Sequence, residues 1–408
     1  MKNTINLLYD ASWPAREHNS NNMHGSLRYS LELLNQLSMN KQVNLNLCIS
    51  KYDSRLINKL NEFALENYNY NESRICNNLF IHNSRFELYN KIINNIIRLL
   101  PYINSNLLNK KKLTSINIYH SPIGPIPIQI KRNKKIQSVY TSHDLLPFIR
   151  KDLAPILYYN ILKPAYDSID SRTTIIAVSK ETRNDLLNYR KDLKENNIKV
   201  VYPAANSNIF FKNSDTNLFL KMKLKYKFTF DKYILCLNRV QKYKNTQFVI
   251  DSYVSLIDSK AINDIALIVI GKFDSDLIKL EYFTKYRKYN IFFLDYVPDN
   301  ELSLFYTNAT CFVYMSLFEG FGLPVLEAMQ CGTPVISSNI NVISEVAGDC
   351  CILQDPFNKD ILCNNILELV KNESLQLIYS KKGLNRSNLF TWEKNCTETI
   401  NVYNQLIS

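Results

Sequence analysis

Residues Thr310–Ser338, TCFVYMSLFEGFGLPVLEAMQCGTPVISS, hold the strongest structural signal in the chain. The apolar, β-rich run Cys311–Met315 predicts a buried parallel strand. Pro324 suits the first residue of a helix, and Gly332 stands where the cap at the end of that helix is expected. Val335–Ser338 predicts the next strand. The succession of strand, loop, helix and strand indicates a parallel α/β unit.

Glycine is scarce in this chain and is concentrated in and just after the same stretch. The 408 residues include 8 glycines, whereas average usage of about 7% would give roughly 29. Four of the eight lie between positions 320 and 348, namely Gly320, Gly322, Gly332 and Gly348. We expect such glycines where φ is positive or where the backbone approaches a ligand.

The loop before the predicted helix is suited to binding phosphate. The backbone N–H groups of Phe321, Gly322 and Leu323 would converge beside a helix N-terminus, which attracts anions. Glu319 and Glu327 flank this loop. Because carboxylates repel phosphate, we expect both to accept hydrogen bonds from hydroxyl groups. A ligand with phosphates in its middle and hydroxyls at both ends is a nucleotide sugar.

The segment EGFGLPVLE, with seven residues between its glutamates, resembles the signature of the retaining glycosyltransferases of family 4, also named group 1. This resemblance implies an α/β GT-B fold, in which two Rossmann-like domains face each other across a cleft. It implies that Glu327 binds the donor ribose and that Glu319 contacts the transferred sugar. The loop amides would bind the sugar and the diphosphate at Gly320, Phe321, Gly322 and Leu323. From the spacing alone, an ordinary strand–loop–helix corner with two surface glutamates is the alternative.

Two segments of the first half resemble further parts of the same family. The sequence GSLRY begins at Gly25 and resembles the loop that faces the donor diphosphate, although a plain helix start explains this glycine as well. The sequence SVYTSHDLLPF contains His143 and resembles a segment whose histidine lies beside the transferred sugar. A capping or core histidine is the alternative for that residue.

A pair of cations follows a predicted strand in the second half. Arg239 and Lys244 stand in NRVQKYKN at the spacing of the family, with Asn238 where glycine is usual. Arg binds a diphosphate in bidentate fashion and Lys as a point charge, so the pair suits a departing diphosphate. Two exposed bases in a loop are the alternative, and Lys242 is interpreted in that way.

The base of the donor is expected further along the second half, near Tyr296 and Val297, which resemble a segment that contacts the base largely through its backbone. The triplet Asp274-Ser275-Asp276 could hold a metal in other glycosyltransferases. It stands in a polar loop without a phosphate cradle, so we reject it. We therefore expect no metal site and no cofactor besides the donor.

The domain boundaries follow from three segments. AVSKET and VVYPAAN resemble the end of the family's first domain, and Thr391 is a candidate N-cap for a terminal helix. We expect an N-terminal Rossmann-like acceptor-side domain at 1–206 and a C-terminal nucleotide-sugar donor domain at 207–388. Residues 389–408 would form a helix that returns to the first domain.

Composition excludes several classes of protein. A hydrophobic content of 46% and a charged content of 21% are typical of a soluble globular protein. No signal peptide or membrane span is apparent. The nine cysteines are scattered without metal-ligand spacing, which indicates reduced thiols in a cytoplasmic protein.

The net charge of +12 belongs to the first half, where residues 1–210 carry 28 Lys and Arg against 16 Asp and Glu. Anionic membrane with a lipid-linked acceptor, nucleic acid, or a solvated basic surface could each explain it. The amphipathic run KIINNIIRLL at 91–100, with the basic clusters at 110–112 and 131–135, could form a peripheral patch on the inner face of the cell membrane. A core-facing helix and a basic loop explain the same residues. No nucleic-acid motif appears, so we expect no nucleic acid partner.

The function expected from these observations is retaining transfer of a sugar from a nucleoside-diphosphate sugar to a hydroxyl of a glycan or lipid-linked glycan. The segments around His143 and Lys244 resemble mannosyltransferase-like members that build bacterial surface polysaccharide. GDP-mannose is therefore favoured as donor, with a UDP-sugar next. No carboxylate pair suited to double displacement is apparent. The alternatives are other GT-B chemistry, such as a sugar-nucleotide epimerase or phosphorylase, and a non-enzymatic nucleic-acid binder.

Overall fold

A computed structural model describes residues 4–17, 25–49, 54–68, 74–76, 108–213, 215–238, 241–272 and 276–408. Within these ranges the strands form two parallel six-stranded sheets, each flanked by helices. Arg239, the run at 91–100, and Asp274 with Ser275 lie outside the described residues.

The first sheet has the strand order β2-β1-β3-β4-β5-β6, and every neighbouring pair is parallel. Its strands are β1 Ile5–Asp10, β2 Val43–Cys48, β3 Ile118–Ser121, β4 Gln137–Ser142, β5 Thr174–Ala177 and β6 Ile198–Val200. The helices of this part are α1 Ser12–Arg16, α2 Gly25–Met39, α3 Ser54–Tyr68, α4 Lys110–Leu113, α5 Ile128–Arg132, α6 Leu146–Ile149, α7 Ile156–Ser168 and α8 Lys180–Tyr189, with a 3-10 turn at Glu195–Asn197. This part is named the first lobe.

The second sheet has the order β12-β11-β10-β7-β8-β9, again all parallel. Its strands are β7 Tyr233–Leu237, β8 Ala266–Ile270, β9 Ile291–Leu294, β10 Cys311–Tyr314, β11 Val335–Ser338 and β12 Ile352–Gln354. Its helices are α9 Thr216–Tyr226, α10 Thr246–Asp258, α11 Asp276–Lys285, α12 Asp299–Asn308, α13 Leu323–Gln330, α14 Asn341–Ala347, α15 Lys359–Lys371 and α16 Glu373–Ser387, with a 3-10 turn at Lys242–Lys244. This part is named the second lobe. Its strand order reverses between β7 and β10, and such a switch point is where open α/β sheets bind ligands.

The unit predicted from residues 310–338 is present as β10, α13 and β11. All four residues of β10 are buried. The helix starts one residue earlier than expected, at Leu323, with Pro324 second. Its C-cap is Cys331 rather than Gly332, which follows with a φ of 73°. The N–H of Gly332 bonds the carbonyl of Met329 at 3.0 Å, because a left-handed glycine after the cap closes the last turn.

The last helix, α17 Trp392–Ile407, returns to the first lobe as expected. The Thr391 side chain caps it by accepting from the N–H of Lys394 at 3.1 Å. The side-chain amide of Asn395 donates to the carbonyl of Tyr202 at 2.7 Å. The helix packs against α2, so the chain crosses between the lobes twice.

His120, near the end of β3, contacts this helix. Its Nδ1 lies 2.6 Å from the hydroxyl of Tyr403, and its Nε2 lies 2.8 Å from the hydroxyl of Thr141. The ring is completely buried. Burial, with a smaller contribution from His143, lowers the pKa of His120 to about 3. The histidine is therefore a neutral part of the core and joins the terminal helix to the first sheet.

The nine cysteines all lie in the described ranges and are all free thiols. None of the described helices has the length and apolar character needed to cross a bilayer.

Candidate active site

The site lies at the switch point of the second sheet, where the turn after β7 meets the loop after β10. The N–H of Leu317 donates to the carbonyl of Tyr243 at 2.7 Å, and the Ser316 hydroxyl donates to the same carbonyl at 3.2 Å. These bonds fix the turn that carries Lys244 against the loop that carries Glu319.

Lys244, Glu319 and Tyr314 form a hydrogen-bonded triangle at this point. The Lys244 ammonium lies 2.6 Å from Glu319 Oε1 and 2.7 Å from the Tyr314 hydroxyl, which donates to Glu319 at 2.6 Å. The lysine and glutamate side chains are only 9% and 10% exposed. A buried charge pair is tolerated when its polar groups are satisfied in this way. The sequence predicted the two charged residues and missed Tyr314, the last residue of β10.

Gly320 and Gly322 allow the loop to pass close to its neighbours. A Cβ on Gly320 would lie 1.8 Å from the carbonyl oxygen of His143, which no loop relaxation short of a backbone shift could relieve. Gly322 has a φ of 97°, and a Cβ there would meet Ile343 at 2.5 Å. Glycine is therefore required at both positions for steric reasons.

Residues of the first lobe donate hydrogen bonds to a backbone carbonyl of the same loop. The carbonyl of Gly320 accepts from the hydroxyl of Ser179 at 2.7 Å and from that of Thr182 at 3.1 Å. Beside them, the Glu345 carboxylate accepts from the N–H of Lys180 at 2.8 Å. Ser179 and Thr182 are further contacts that the sequence did not predict.

The amide side of the loop remains available. Across the described part of the chain, the N–H groups of residues 320–323 donate to no acceptor. These groups belong to the loop and the first residue of α13, where the helix dipole favours an anion. The arrangement offers a cradle for a phosphate or for the hydroxyls of a sugar.

His143 follows β4 and reaches the loop from the first lobe. Its Nε2 lies 2.7 Å from the carbonyl oxygen of Pro122. Because a carbonyl only accepts, Nε2 carries the proton. Tyr29 contacts the ring edge-on at 5.0 Å between centroids. The neighbouring Asp144 accepts from the Tyr158 hydroxyl at 3.0 Å, so the orientation of this segment is fixed.

Two carboxyl groups of the first lobe near this segment have raised pKa values. Burial raises the pKa of Asp144, which also feels the charges of Glu319 and Lys244. Burial, together with Glu181 and Asp144, raises the pKa of Asp185 to about 7. Asp185 lies on α8, and it can exchange a proton near neutral pH. The sequence gave no signal for it.

Glu327 lies on α13 and is 3% exposed. It is paired with Arg28 of α2, and its second oxygen accepts from the Tyr306 hydroxyl at 3.3 Å. Arg28 also binds the carboxylate of Asp299 through contacts of 2.8 Å and 2.9 Å. Arg28 is part of the segment GSLRY, but the sequence predicted no role for it, because its partners are some 270 to 300 positions away.

The remaining predicted residues differ in how they are placed. A Cβ on Gly25 would lie 3.5 Å from Leu323, so the start of α2 faces the loop. The ring of Phe321 packs 5.7 Å from that of Phe390. Val297 is buried and Tyr296 is 43% exposed, so any contact of Val297 with a base would use its backbone.

Among the described residues, no three His, Cys, Asp or Glu side chains lie close enough together to hold a metal ion. Arg239 lies outside the described ranges. The structure therefore brings together His143, Lys244, Glu319 and the loop at 320–323, while Glu327 lies one helix turn further on and is bound to Arg28.

Comparison with known proteins identifies the family of this chain. Residues 222–386 match the family described as Glycosyl transferases group 1. O-antigen chain mannosyltransferase B of Escherichia coli is 31% identical over 297 residues, which are 71% of this chain and 74% of that protein.

Two solved structures share the fold over nearly the whole chain. Sucrose-phosphate synthase of Thermosynechococcus elongatus superposes with a TM-score of 0.68 at 16% identity and covers 99% of both chains. HepE of Anabaena, in complex with UDP and glucose, gives a TM-score of 0.66 at 13% identity and covers 98% of this chain and 99% of its own. The fold expected from the sequence, GT-B with two Rossmann-like sheets, is confirmed. With the E. coli relative, these observations establish that the chain belongs to the group 1 glycosyl transferases.

Proposed function

We propose that this glycosyltransferase moves a sugar, with mannose favoured, from a nucleoside-diphosphate donor to a hydroxyl of a glycan or lipid-linked glycan, with retention of configuration. The observation that carries the proposal is the cradle at the switch point. Donor N–H groups, a lysine and carboxylates converge there, and each suits one part of a nucleotide sugar.

The diphosphate is assigned to the loop amides and Lys244. The ammonium of Lys244 is balanced by the Glu319 carboxylate at 2.6 Å. A bound diphosphate would add negative charge beside the same ammonium, and that charge grows as the glycosidic bond breaks. Lys244 then stabilises the leaving group more strongly in the transition state than before it, which is what accelerates a reaction.

The sugar is assigned to Glu319 and His143, and the ribose to Glu327. Glu319 is oriented by the Tyr314 hydroxyl at 2.6 Å, so its carboxylate is fixed before a sugar arrives. The histidine donates its Nε2 proton to Pro122, which fixes its tautomer. Hydroxyl groups of the transferred sugar are the expected partners of both residues.

Retention is proposed from the resemblance to the retaining glycosyltransferases of family 4. The acceptor hydroxyl would attack the face that the diphosphate leaves, and the departing phosphate oxygen would take the acceptor proton. Glu319 is already engaged by Lys244 and Tyr314, which suits a binding role rather than a nucleophilic one. No metal is required by this scheme.

The donor is proposed as GDP-mannose, with a UDP-sugar next. The name of the E. coli relative specifies a mannosyltransferase of O-antigen chains, whereas HepE was solved with UDP. Thermal-shift measurements with GDP, UDP and their sugars distinguish the two. We expect GDP and GDP-mannose to raise the melting temperature most.

Transfer is tested with the stabilising donor and a mannose-terminated oligosaccharide acceptor. We expect a new glycosidic bond, detected by mass spectrometry, with the anomeric configuration of the donor by NMR. An inverted product would contradict retention. Release of a changed nucleotide sugar without transfer would support an epimerase, and phosphate-dependent cleavage of the oligosaccharide would support a phosphorylase.

A further inference from the structure

Arg28 connects the two lobes electrostatically. Of the ion pairs that join two described residues, only those of Arg28 with Asp299 and Glu327 run from one lobe to the other. Arg28 lies in the first turn of α2, whereas its partners lie on α12 and α13 of the second lobe.

The contact is buried, and Arg28 keeps its charge within it. The side chain of Arg28 is 14% exposed and that of Glu327 is 4% exposed. Burial alone would lower the pKa of Arg28, but the charges of Glu327 and Asp299 outweigh it and raise the pKa. The guanidinium also lies 5.5 Å from the ring of Phe210, in the segment that joins the lobes. A planar guanidinium can serve two carboxylates at once, which an ammonium cannot do as well.

The arrangement gives Glu327 its counter-ion and its orientation. Arg28 engages one carboxylate oxygen and the Tyr306 hydroxyl engages the other at 3.3 Å. A carboxylate buried without a counter-ion favours its neutral form. A neutral carboxyl group has less capacity to accept hydrogen bonds from two ribose hydroxyls than an ionised one.

We infer that Arg28 is a positioning residue that completes the nucleotide site from the opposite lobe, because it orients the Glu327 carboxylate and supplies its counter-ion. This inference rests on the proposed function, in which Glu327 holds the ribose.

The test compares Arg28→Gln and Arg28→Lys with the wild-type protein. Arg150→Gln is the matched control, because Arg150 pairs with Asp152 at 2.7 Å on the surface of the first lobe. GDP and UDP are the probes, titrated by calorimetry. We expect Arg28→Gln to weaken nucleotide binding at least tenfold. Arg28→Lys should fall between the two, and Arg150→Gln should match the wild type.

A pH series separates positioning from a general loss of structure. The charged or titratable groups around the carboxylate and its partner include Arg28, Glu32, Asp299, Tyr306 and Cys331. Without its counter-ion, Glu327 should take up a proton more readily, so nucleotide binding by Arg28→Gln should decline more steeply than wild-type binding as the pH falls. Adding Glu327→Gln to Arg28→Gln should remove this extra dependence.

Equal nucleotide affinities and parallel pH profiles in the wild type and both Arg28 variants would overturn the inference alone. A wild-type protein that binds neither GDP nor UDP would contradict the proposed function instead. If Arg28→Gln fails to fold, the comparison of Arg28→Lys with the wild type decides, since that variant keeps the charge.

Discussion

Lys244 Nζ and Glu319 Oε1 lie 2.6 Å apart, and both side chains are about nine-tenths buried. Neither residue is therefore a flexible surface charge that would be ordered by a ligand. The pair is built into the site, so under the proposed function a donor would compete with Glu319 for the ammonium. The removal of one partner leaves the other charge buried without compensation, which costs more than the loss of an exposed ion pair.

Lys244→Ala should lower kcat/KM by about 100- to 1,000-fold, as expected for loss of one preorganised group that stabilises the leaving charge. It should also destabilise the fold by about 3–5 kcal/mol, because Glu319 is left buried and unpaired. Steady-state kinetics and urea unfolding measure the two effects. Lys244→Ala with Glu319→Ala should recover stability without recovering activity.

The control for this prediction is Lys242→Ala, an exposed lysine in the same short turn. It should change neither the kinetics nor the unfolding midpoint by more than the error of the measurement. Equal effects of the two single substitutions would contradict a specific role for Lys244.

Tyr314→Phe removes one hydroxyl and keeps the ring in the core. The hydroxyl accepts from Lys244 at 2.7 Å and donates to Glu319 at 2.6 Å. Since a hydrogen bond to a charged group contributes about 1.5–3 kcal/mol, we expect kcat to fall by roughly ten- to a hundredfold with a smaller change in KM. Tyr289→Phe, which removes an exposed hydroxyl bonded to Asp258 at 2.9 Å, is the control and should retain full activity. An unchanged kcat in Tyr314→Phe would show that the Lys244–Glu319 pair keeps its orientation without the tyrosine hydroxyl, which would contradict the prediction.

Gly320→Ala should displace the loop from His143, because the added Cβ would lie 1.8 Å from a backbone oxygen. We expect a loss of about 1–3 kcal/mol of stability, typical of overpacking, and a rise in the donor KM. Gly383→Ala is the comparison, since its Cβ would lie 3.3 Å from Cβ and Cγ of Met329, a much smaller overlap than at Gly320. Full activity in Gly320→Ala would mean that the loop amides can move without consequence.

His120 should make the fold sensitive to acid. Its pKa is about 3 in the folded protein and about 6.5 when unfolded. Between these values the unfolded chain binds the proton and the folded protein does not, so stability falls as the pH falls. The loss is at most about 1.4 kcal/mol per pH unit.

Unfolding free energies at pH 7 and pH 4.5 measure this effect. His120→Gln lacks the titrating group, so its stability should decline less over this interval than that of the wild type, whatever its absolute value. Since the carboxyl groups are common to both proteins, the difference between the two slopes reports His120. Parallel slopes would contradict the prediction.

Local signals in the sequence predicted much of the fold. The loop glycines, Pro324 and the cap Thr391 each act within a few residues of their own position, so their effects can be predicted from the local sequence. Boundaries were less accurate, as the start of α13 and its C-cap show. The Pro-containing helix α7 was not predicted, because Pro164 interrupts its helical pattern.

The parts of the site that the sequence missed depend on contacts between distant residues. Arg28 meets Glu327 only because two sheets and their helices bring α2 and α13 together. In the sequence, Tyr314 is one more aromatic residue of a buried strand. Only the folded structure shows that its hydroxyl contacts Lys244. Asp185 is distinguished by burial, which a single sequence does not specify.

The double crossing between the lobes has a consequence for dividing the chain. The rings of Tyr202 and Phe390, one from each crossing segment, lie 5.7 Å apart, and Asn395 is hydrogen-bonded to the carbonyl of Tyr202. The terminal helix also supplies Tyr403, whose hydroxyl lies 2.6 Å from Nδ1 of His120 in the first lobe. A first lobe prepared without residues 390–408 would lack these partners, so we expect it to be less stable than it is within the whole chain.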